Sequence, residues 1–160
     1  MTFMTTIQFY HLLSTSLEMA LPKLVATALK AQHRVAIRCA DSAQRKRLSQ
    51  ALWEQDSASF LPHGEASEPH AAWQPILLTA GDDAPNYPDI EVIVDGRRIS
   101  PAPTTHKLLD LFDGADEEAV ANARTRWAEY KAQGYALQYI KQQPKGGWKI
   151  EMESPAASAA

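Results

Sequence analysis

Few residues of this 160-residue chain are of a type and spacing that could do chemistry. The five histidines, His11, His33, His63, His70 and His106, show neither a two-histidine helical spacing nor a partnering cysteine pair, so the sequence predicts no metal site. Asp82 and Asp83 follow a short apolar segment, and strand ends of that kind are where cations bind and protons move. The same pair also suits the solvated start of a loop before Pro85 and Asn86. Ser14 and Ser16 lie close to His11, yet no glycine-flanked nucleophile elbow surrounds either serine. The single Cys39 has no internal disulfide partner and alternates with Val35 and Ile37, as a small buried hydrophobe would. No catalytic set and no cofactor site emerge.

Two constellations point instead toward partners. Leu52-Trp53 followed by Phe60-Leu61-Pro62-His63 puts large aromatics and a proline at a helix end and in an otherwise polar stretch, where they either fold onto the core or anchor another protein. Val120, Arg124, Trp127 and Lys131 recur at spacings of four, three and four, within one narrow helical stripe beside Ala123 and Tyr130. Arg124 and Lys131 then flank an indole, with Arg126 further round the helix. That set matches a carboxylate next to an apolar side chain. It equally matches a core tryptophan with basic residues complementing the helix C-terminus, and spacing alone leaves both readings open.

The elements that must carry these residues follow from periodicity and punctuation. Thr6 to Leu12 reads as a strand, and Ser14 or Ser16 can cap a helix whose apolar stripe runs from Leu17 to Ala31, with Pro22 near its start. His33 to Cys39 is a second strand. Asp41 and Gln44 have the form of a capping box opening a helix to about Trp53. Asp56 to Gln74 lacks a sustained period and is predicted as a surface loop. Pro75 to Thr79 and Ile90 to Val94 are apolar, β-branched and followed by acidic residues or glycine, as buried strands ending at one sheet edge would be. A linker with Pro101 and Pro103 leads to a short predicted helix over His106 to Phe112. Asp116, Glu117 and Glu118 open a last long helix that Gly134 stops, and Tyr135, Leu137 and Tyr139 alternate as another strand.

Alternating strands and helices predict a three-layer α/β domain, a mostly parallel twisted sheet of about five strands with helices on both faces. Residues 1–150 form this one domain, and 151–160, rich in small residues, are expected as a disordered tail. The architecture is nucleotide-binding-like, but the first strand-to-helix turn, His11 to Ser16, contains no glycine, and no phosphate-loop lysine motif occurs. Sixteen Lys plus Arg against nineteen Asp plus Glu leave a net charge of -3, which gives no general attraction to nucleic acid. Without a secretory signal or a long apolar run, the chain is expected to be cytoplasmic and free of the membrane.

Several segments together resemble one family. They are Ile7-Gln8-Phe9-Tyr10-His11-Leu12, Arg34-Val35-Ala36-Ile37-Arg38-Cys39, Ala51-Leu52-Trp53 and Ser59-Phe60-Leu61-Pro62-His63. Gln74-Pro75-Ile76-Leu77-Leu78-Thr79, Val94-Asp95-Gly96 and the run from Ala123-Arg124 through Arg126-Trp127 and Tyr130-Lys131 to Gly134-Tyr135 complete the set. This pattern, from Ile7 to Trp148, resembles the chi subunit of bacterial DNA polymerase III.

The resemblance implies a non-catalytic accessory subunit with a nucleotide-binding-like fold that holds no nucleotide. It implies one surface for the psi subunit or an equivalent clamp-loader component, carried here by Trp53, Phe60, Pro62 and His63; a helicase-type partner is the alternative occupant. It implies another surface for the acidic, Phe-terminated tail of single-stranded-DNA-binding protein, carried by Arg124, Arg126, Trp127, Tyr130 and Lys131. Ala128 stands where the family can have a basic residue, and Asp113 where an apolar one would better line the tail pocket. The competing readings are a small nucleotide-binding or hydrolytic enzyme using Asp82 and Asp83, and a direct single-stranded-DNA binder using the last helix.

Overall fold

A computed structural model describes residues 5–54, 63–65, 74–79 and 86–156. Within them the chain runs β1 (Thr6–Leu12), α1 (Leu17–Lys30), β2 (Val35–Arg38), α2 (Ser42–Glu54), β3 (His63–Glu65), β4 (Ile76–Thr79), β5 (Ile90–Ile93), β6 (Lys107–Asp113), α3 (Glu117–Ala132), β7 (Ala136–Gln142) and β8 (Trp148–Ser154). The strands form one sheet in the order β3-β4-β2-β5-β6-β1-β7-β8. Every neighbouring pair is parallel except β7 with β8.

The expected three-layer, mostly parallel α/β architecture is present, with eight strands where about five are predicted from periodicity. The segment from His106 to Phe112, predicted helical, is the central strand β6 between β1 and β5. Its apolar residues point to both faces, with Leu108 and Phe112 on one and Leu109 and Leu111 on the other. A strand buried on both faces loses its alternation and becomes a continuous apolar run, which is what misleads the helical reading. Glu151 to Ser154, expected in the tail, belong instead to β8. The turn into β8 uses Gly146 and Gly147 at φ +88° and +80°. Residues 63–65 add β3 beside β4, inside the stretch expected as a loop.

Two apolar clusters fill the layers. Leu21, Val25 and Ala28 of α1 and Leu48 and Leu52 of α2 pack on Val35, Ile37, Ile76, Leu78, Val92, Leu109 and Leu111, and the buried Cys39 lies among them. On the other face, Ala123 and Tyr130 of α3 pack on Ile7, Phe9, Leu108, Phe112 and Leu137. Local signals set the starts of α2 and α3 as expected, whereas Ser16, at the N-cap position of α1, makes no side-chain capping hydrogen bond. Asp41 accepts from the Gln44 N–H at 2.8 Å while the Gln44 side chain reaches back to the Ala40 N–H. Asp116 caps α3 by accepting from the N–H groups of Glu118 and Ala119.

A buried ion pair and a buried hydroxyl tie the connection before β6 to the rest of the fold. Arg38 Nη2 lies 2.6 Å from Glu91 Oε1, and the other Glu91 oxygen accepts from the Ala102 N–H and the Thr105 hydroxyl. The proline-containing connection is thereby fastened across the sheet. The Tyr130 hydroxyl, itself fully buried, accepts from the Ile99 N–H at 3.1 Å and holds the same connection against α3.

Candidate functional site

On the α3 face, α3 and the strands β1, β7 and β8 border a cleft of about 380 Å³ lined by His11, Arg124, Trp127, Tyr139, Lys141, Glu151 and Met152. Each residue arrives there for a local reason. Phe9 and His11 are two apart on β1, so Phe9 enters the core under α3 and His11 follows on the same face. Tyr139 and Lys141 repeat that spacing on β7, and His11 is the direct cross-strand partner of Lys141. Arg124 and Trp127 occupy adjacent turns of α3. Met152 lies opposite Tyr139 on β8, and a bulge between Tyr139 and Ile140 brings Glu151 to the rim.

The floor is aromatic. Trp127 packs on Phe9 with ring centroids 5.6 Å apart and on Tyr139 at 6.2 Å. His11 stacks edge-on with Phe112 at 5.2 Å and with Tyr139 at 5.7 Å. Its Nδ1 is hydrogen-bonded to the Tyr139 hydroxyl. Burial lowers the His11 pKa, and the nearby positive charges of Lys141 and Arg124 lower it further against a smaller opposing effect of Asp113. Burial also raises the Tyr139 pKa. At neutral pH the floor is therefore uncharged and the two cations stand at its edge. Gly114 makes this packing possible, because a Cβ there would lie 2.0 Å from His11 Cδ2 and 2.6 Å from the Leu12 carbonyl oxygen.

Arg124 and Trp127 are brought together as their spacing suggests. The other helix residues named from sequence have different surroundings. Lys131 is exposed and does not line the cleft. Tyr130 is fully buried beneath the helix. Arg126 is turned to the opposite flank, only 5% exposed, with Nε and Nη2 at 2.7 and 2.9 Å from the two Asp110 oxygens and Nη1 donating to the Gly96 carbonyl at 3.0 Å. A guanidinium so enclosed has its donors committed internally, and its role in this geometry is to pin α3 to β6. Asp113 faces a neighbouring acidic cleft with Asp95, Asp116 and Glu118, and Ala128 is exposed.

His11, Tyr139, Lys141, Glu151 and Met152 do not appear in the helical stripe. The alternation of Leu137, Tyr139 and Lys141 was the available signal, but it places them at this site only once β7 is known to lie beside β1. Phe60, Pro62, Asp82 and Asp83 lie outside the described residues, as do the side chains of Trp53 and His63. Among the described residues no group of three or more His, Cys, Asp or Glu is arranged to hold a metal ion, and no helix is long and apolar enough to cross a membrane.

The β1–α1 turn, where related architectures receive phosphate, is filled from within. Gln142 Oε1 accepts from the N–H groups of Leu13, Ser14 and Thr15 at 2.9, 2.9 and 3.2 Å, and its Nε2 donates to the Thr15 hydroxyl. A carboxamide thus occupies the nest of backbone donors that an anion would need.

Comparisons with known proteins agree with one another. The chain is 30% identical over 139 residues to the DNA polymerase III subunit chi of Pseudomonas aeruginosa, a match covering 84% of this chain and 95% of that protein. It is 26% identical over 110 residues to the probable DNA polymerase III subunit chi of Rickettsia prowazekii, covering 69% of this chain and 67% of that one. The family model described as DNA polymerase III chi subunit, HolC, matches residues 4–138, a span that takes in the three helices, β1 to β6 and the start of β7, and with them His11, Arg124 and Trp127 of the cleft. An α/β sheet with a filled phosphate turn and a cation-rimmed aromatic cleft is therefore the form taken here by a member of the DNA polymerase III chi subunit family, to which this chain belongs.

Proposed function

We propose that this chain is a non-catalytic accessory subunit that links the clamp loader to single-stranded-DNA-binding protein, and that the α3 cleft receives the acidic, Phe-terminated tail of the latter. The observation carrying this reading is the pairing of Arg124 and Lys141 with a neutral aromatic floor in one cleft. A terminal carboxylate would be held between the two cations while the phenyl ring lies on Trp127, Tyr139 and Met152. Each charge-assisted contact contributes about 1.5 to 3 kcal/mol and an aromatic anchor about 2 kcal/mol or more. After the entropic cost of ordering a tail, a micromolar affinity is the expected result. The clamp-loader side, through psi or a helicase-type partner in its place, is assigned to Trp53, Phe60, Pro62 and His63 on the resemblance alone. Gln142 in the β1–α1 turn favours this adaptor over a nucleotide-binding enzyme.

Isothermal calorimetry with a synthetic acidic peptide ending in Phe tests the assignment. Arg124→Ala and Lys141→Ala should each weaken binding about tenfold, added salt should weaken it further, and deletion of the terminal Phe should remove it. Lys131→Ala, outside the cleft, should have the smaller effect. Equal binding by the wild type, Arg124→Ala and Lys141→Ala would refute the site.

A further inference from the structure

The same strands that floor the cleft have a second face, and α1 does not cover all of it. Tyr10 follows Phe9 and precedes His11 on β1, so its side chain points away from α3. Between α1 and the β7–β8 hairpin lies a groove of about 380 Å³ whose base is Val25, Val35, Val92 and Leu109. One wall is aromatic, formed by Tyr10 and Trp148 in a T-shaped pair with centroids 5.1 Å apart and planes at 86°. Trp148 is 36% exposed and its strand neighbour Ile150 49%, yet Tyr10 holds the indole in a defined position. Below the aromatic pair a polar ladder crosses three strands, Gln8 donating to Gln138 at 2.7 Å and Gln138 to Glu153 at 3.0 Å.

The groove's charge has one sign. Lys23 of α1 and Lys107 of β6 stand exposed on its rim, and neither has a carboxylate within ion-pairing distance among the described residues. His33 also lines it, with Asp89 3.7 Å from its Nδ1. No acidic residue is among the residues lining the groove, although the whole chain carries a net charge of -3. The adjoining sheet edge is a poor template for an added strand, since β8 is bulged and carries Lys149, Glu151 and Glu153 before Pro155. A binder is thus directed into the groove and not along the edge.

We propose that this groove docks a short acidic peptide segment, with a large apolar side chain seated against Tyr10 and Trp148 and its carboxylates paired with Lys23 and Lys107. The occupant is an internal segment of a partner, since the groove requires no terminal carboxylate. Its volume is that of a small ligand pocket and accommodates one such anchor with its neighbours. Because the cleft and the groove use opposite faces of β1, both can be filled at once.

The test uses the ¹⁵N-labelled full chain and a peptide of Asp and Glu flanking one Leu-Phe pair, acetylated and amidated so that it offers no terminal charge. The expected result is saturable movement of the Trp148 indole N–H and of the Lys23 and Lys107 amide signals. Lys23→Glu or Lys107→Glu should weaken binding about tenfold or more, as loss of one charge-assisted contact does, and Trp148→Ala should weaken it similarly. A peptide with lysines replacing its acids should not bind. Arg124→Glu should leave the titration unchanged, which separates this groove from the tail cleft. The proposal is overturned if the Trp148 signal does not move by about 1 mM peptide, a weak limit for specific recognition. It is equally overturned if the shifts centre on Arg124 and Lys141, or if sedimentation shows that the groove is instead covered by a second copy through a Trp148-dependent dimer.

Discussion

Replacement of Arg126 by alanine separates a structural arginine from a binding one on the same helix. The Asp110 carboxylate has no solvent exposure, and its Oδ2 and Oδ1 accept from Arg126 at 2.7 and 2.9 Å. Arg126→Ala leaves that carboxylate buried without its counter-ion, a change that destabilises a fold by about 3 to 5 kcal/mol. For a chain of this length each kcal/mol lowers the thermal midpoint by about 2 to 4 °C, so the expected fall is on the order of 6 to 20 °C by calorimetry. Burial already raises the Asp110 pKa against the opposing pull of Arg126, and without the arginine it should rise further. A carboxyl with a raised folded pKa binds more protons when native, so stability falls as pH rises through that value. The deficit of Arg126→Ala should therefore shrink in acid. Pairing Arg126→Met with Asp110→Leu removes both charges and should regain most of the loss. Arg124→Ala, two residues away and exposed, should stay within about 0.5 kcal/mol of the wild type while weakening the acidic peptide. If Arg126→Ala kept its midpoint within about 2 °C and lost peptide binding, the division of roles between the two arginines would be wrong.

Lowering pH should tighten binding of the acidic peptide, because protonated His11 adds positive charge beside Arg124 and Lys141, and calorimetry of His11→Gln should show a flatter profile. The same histidine has a folded pKa below its ordinary 6.5, so its stability contribution is complete above 6.5 and is lost as pH falls toward the lowered value, which the variant should not show. Gln142→Ala removes the acceptor shared by three backbone N–H groups and should destabilise the fold by about 1 to 3 kcal/mol in urea denaturation, whereas Gln142→Glu, which retains an acceptor at a helix start, should lose less. An unchanged midpoint in Gln142→Ala would mean that water fills the turn without penalty.

Local chemistry made much of the fold legible before any coordinates. The limits of β1, the Asp41–Gln44 cap, the stripe of α1 and the Gly134 stop all depend on neighbours within a few residues, and all are found. β6 and β8 depend on what lies beside them. β6 is a strand because β1 and β5 pair with both its edges, and β8 exists because two glycines fold Trp148 to Ser154 back on β7. The site divides along the same line. Spacing on one helix was sufficient to group Arg124 with Trp127, since helical geometry is set by the chain itself. It could not give Arg126 its fate, because Asp110 and Gly96 are distant in sequence and meet the guanidinium only in the folded molecule. Nor could it add His11, Tyr139, Lys141 and Met152, which come from three strands whose order in the sheet is a tertiary fact. Sequence by itself determined the elements whose signals are local, such as β1, α1 and α3, and which residue types are available. Tertiary structure decided which cations are buried as struts and which stand free beside an aromatic floor, because burial and distant pairing, not spacing, set the use of a charge.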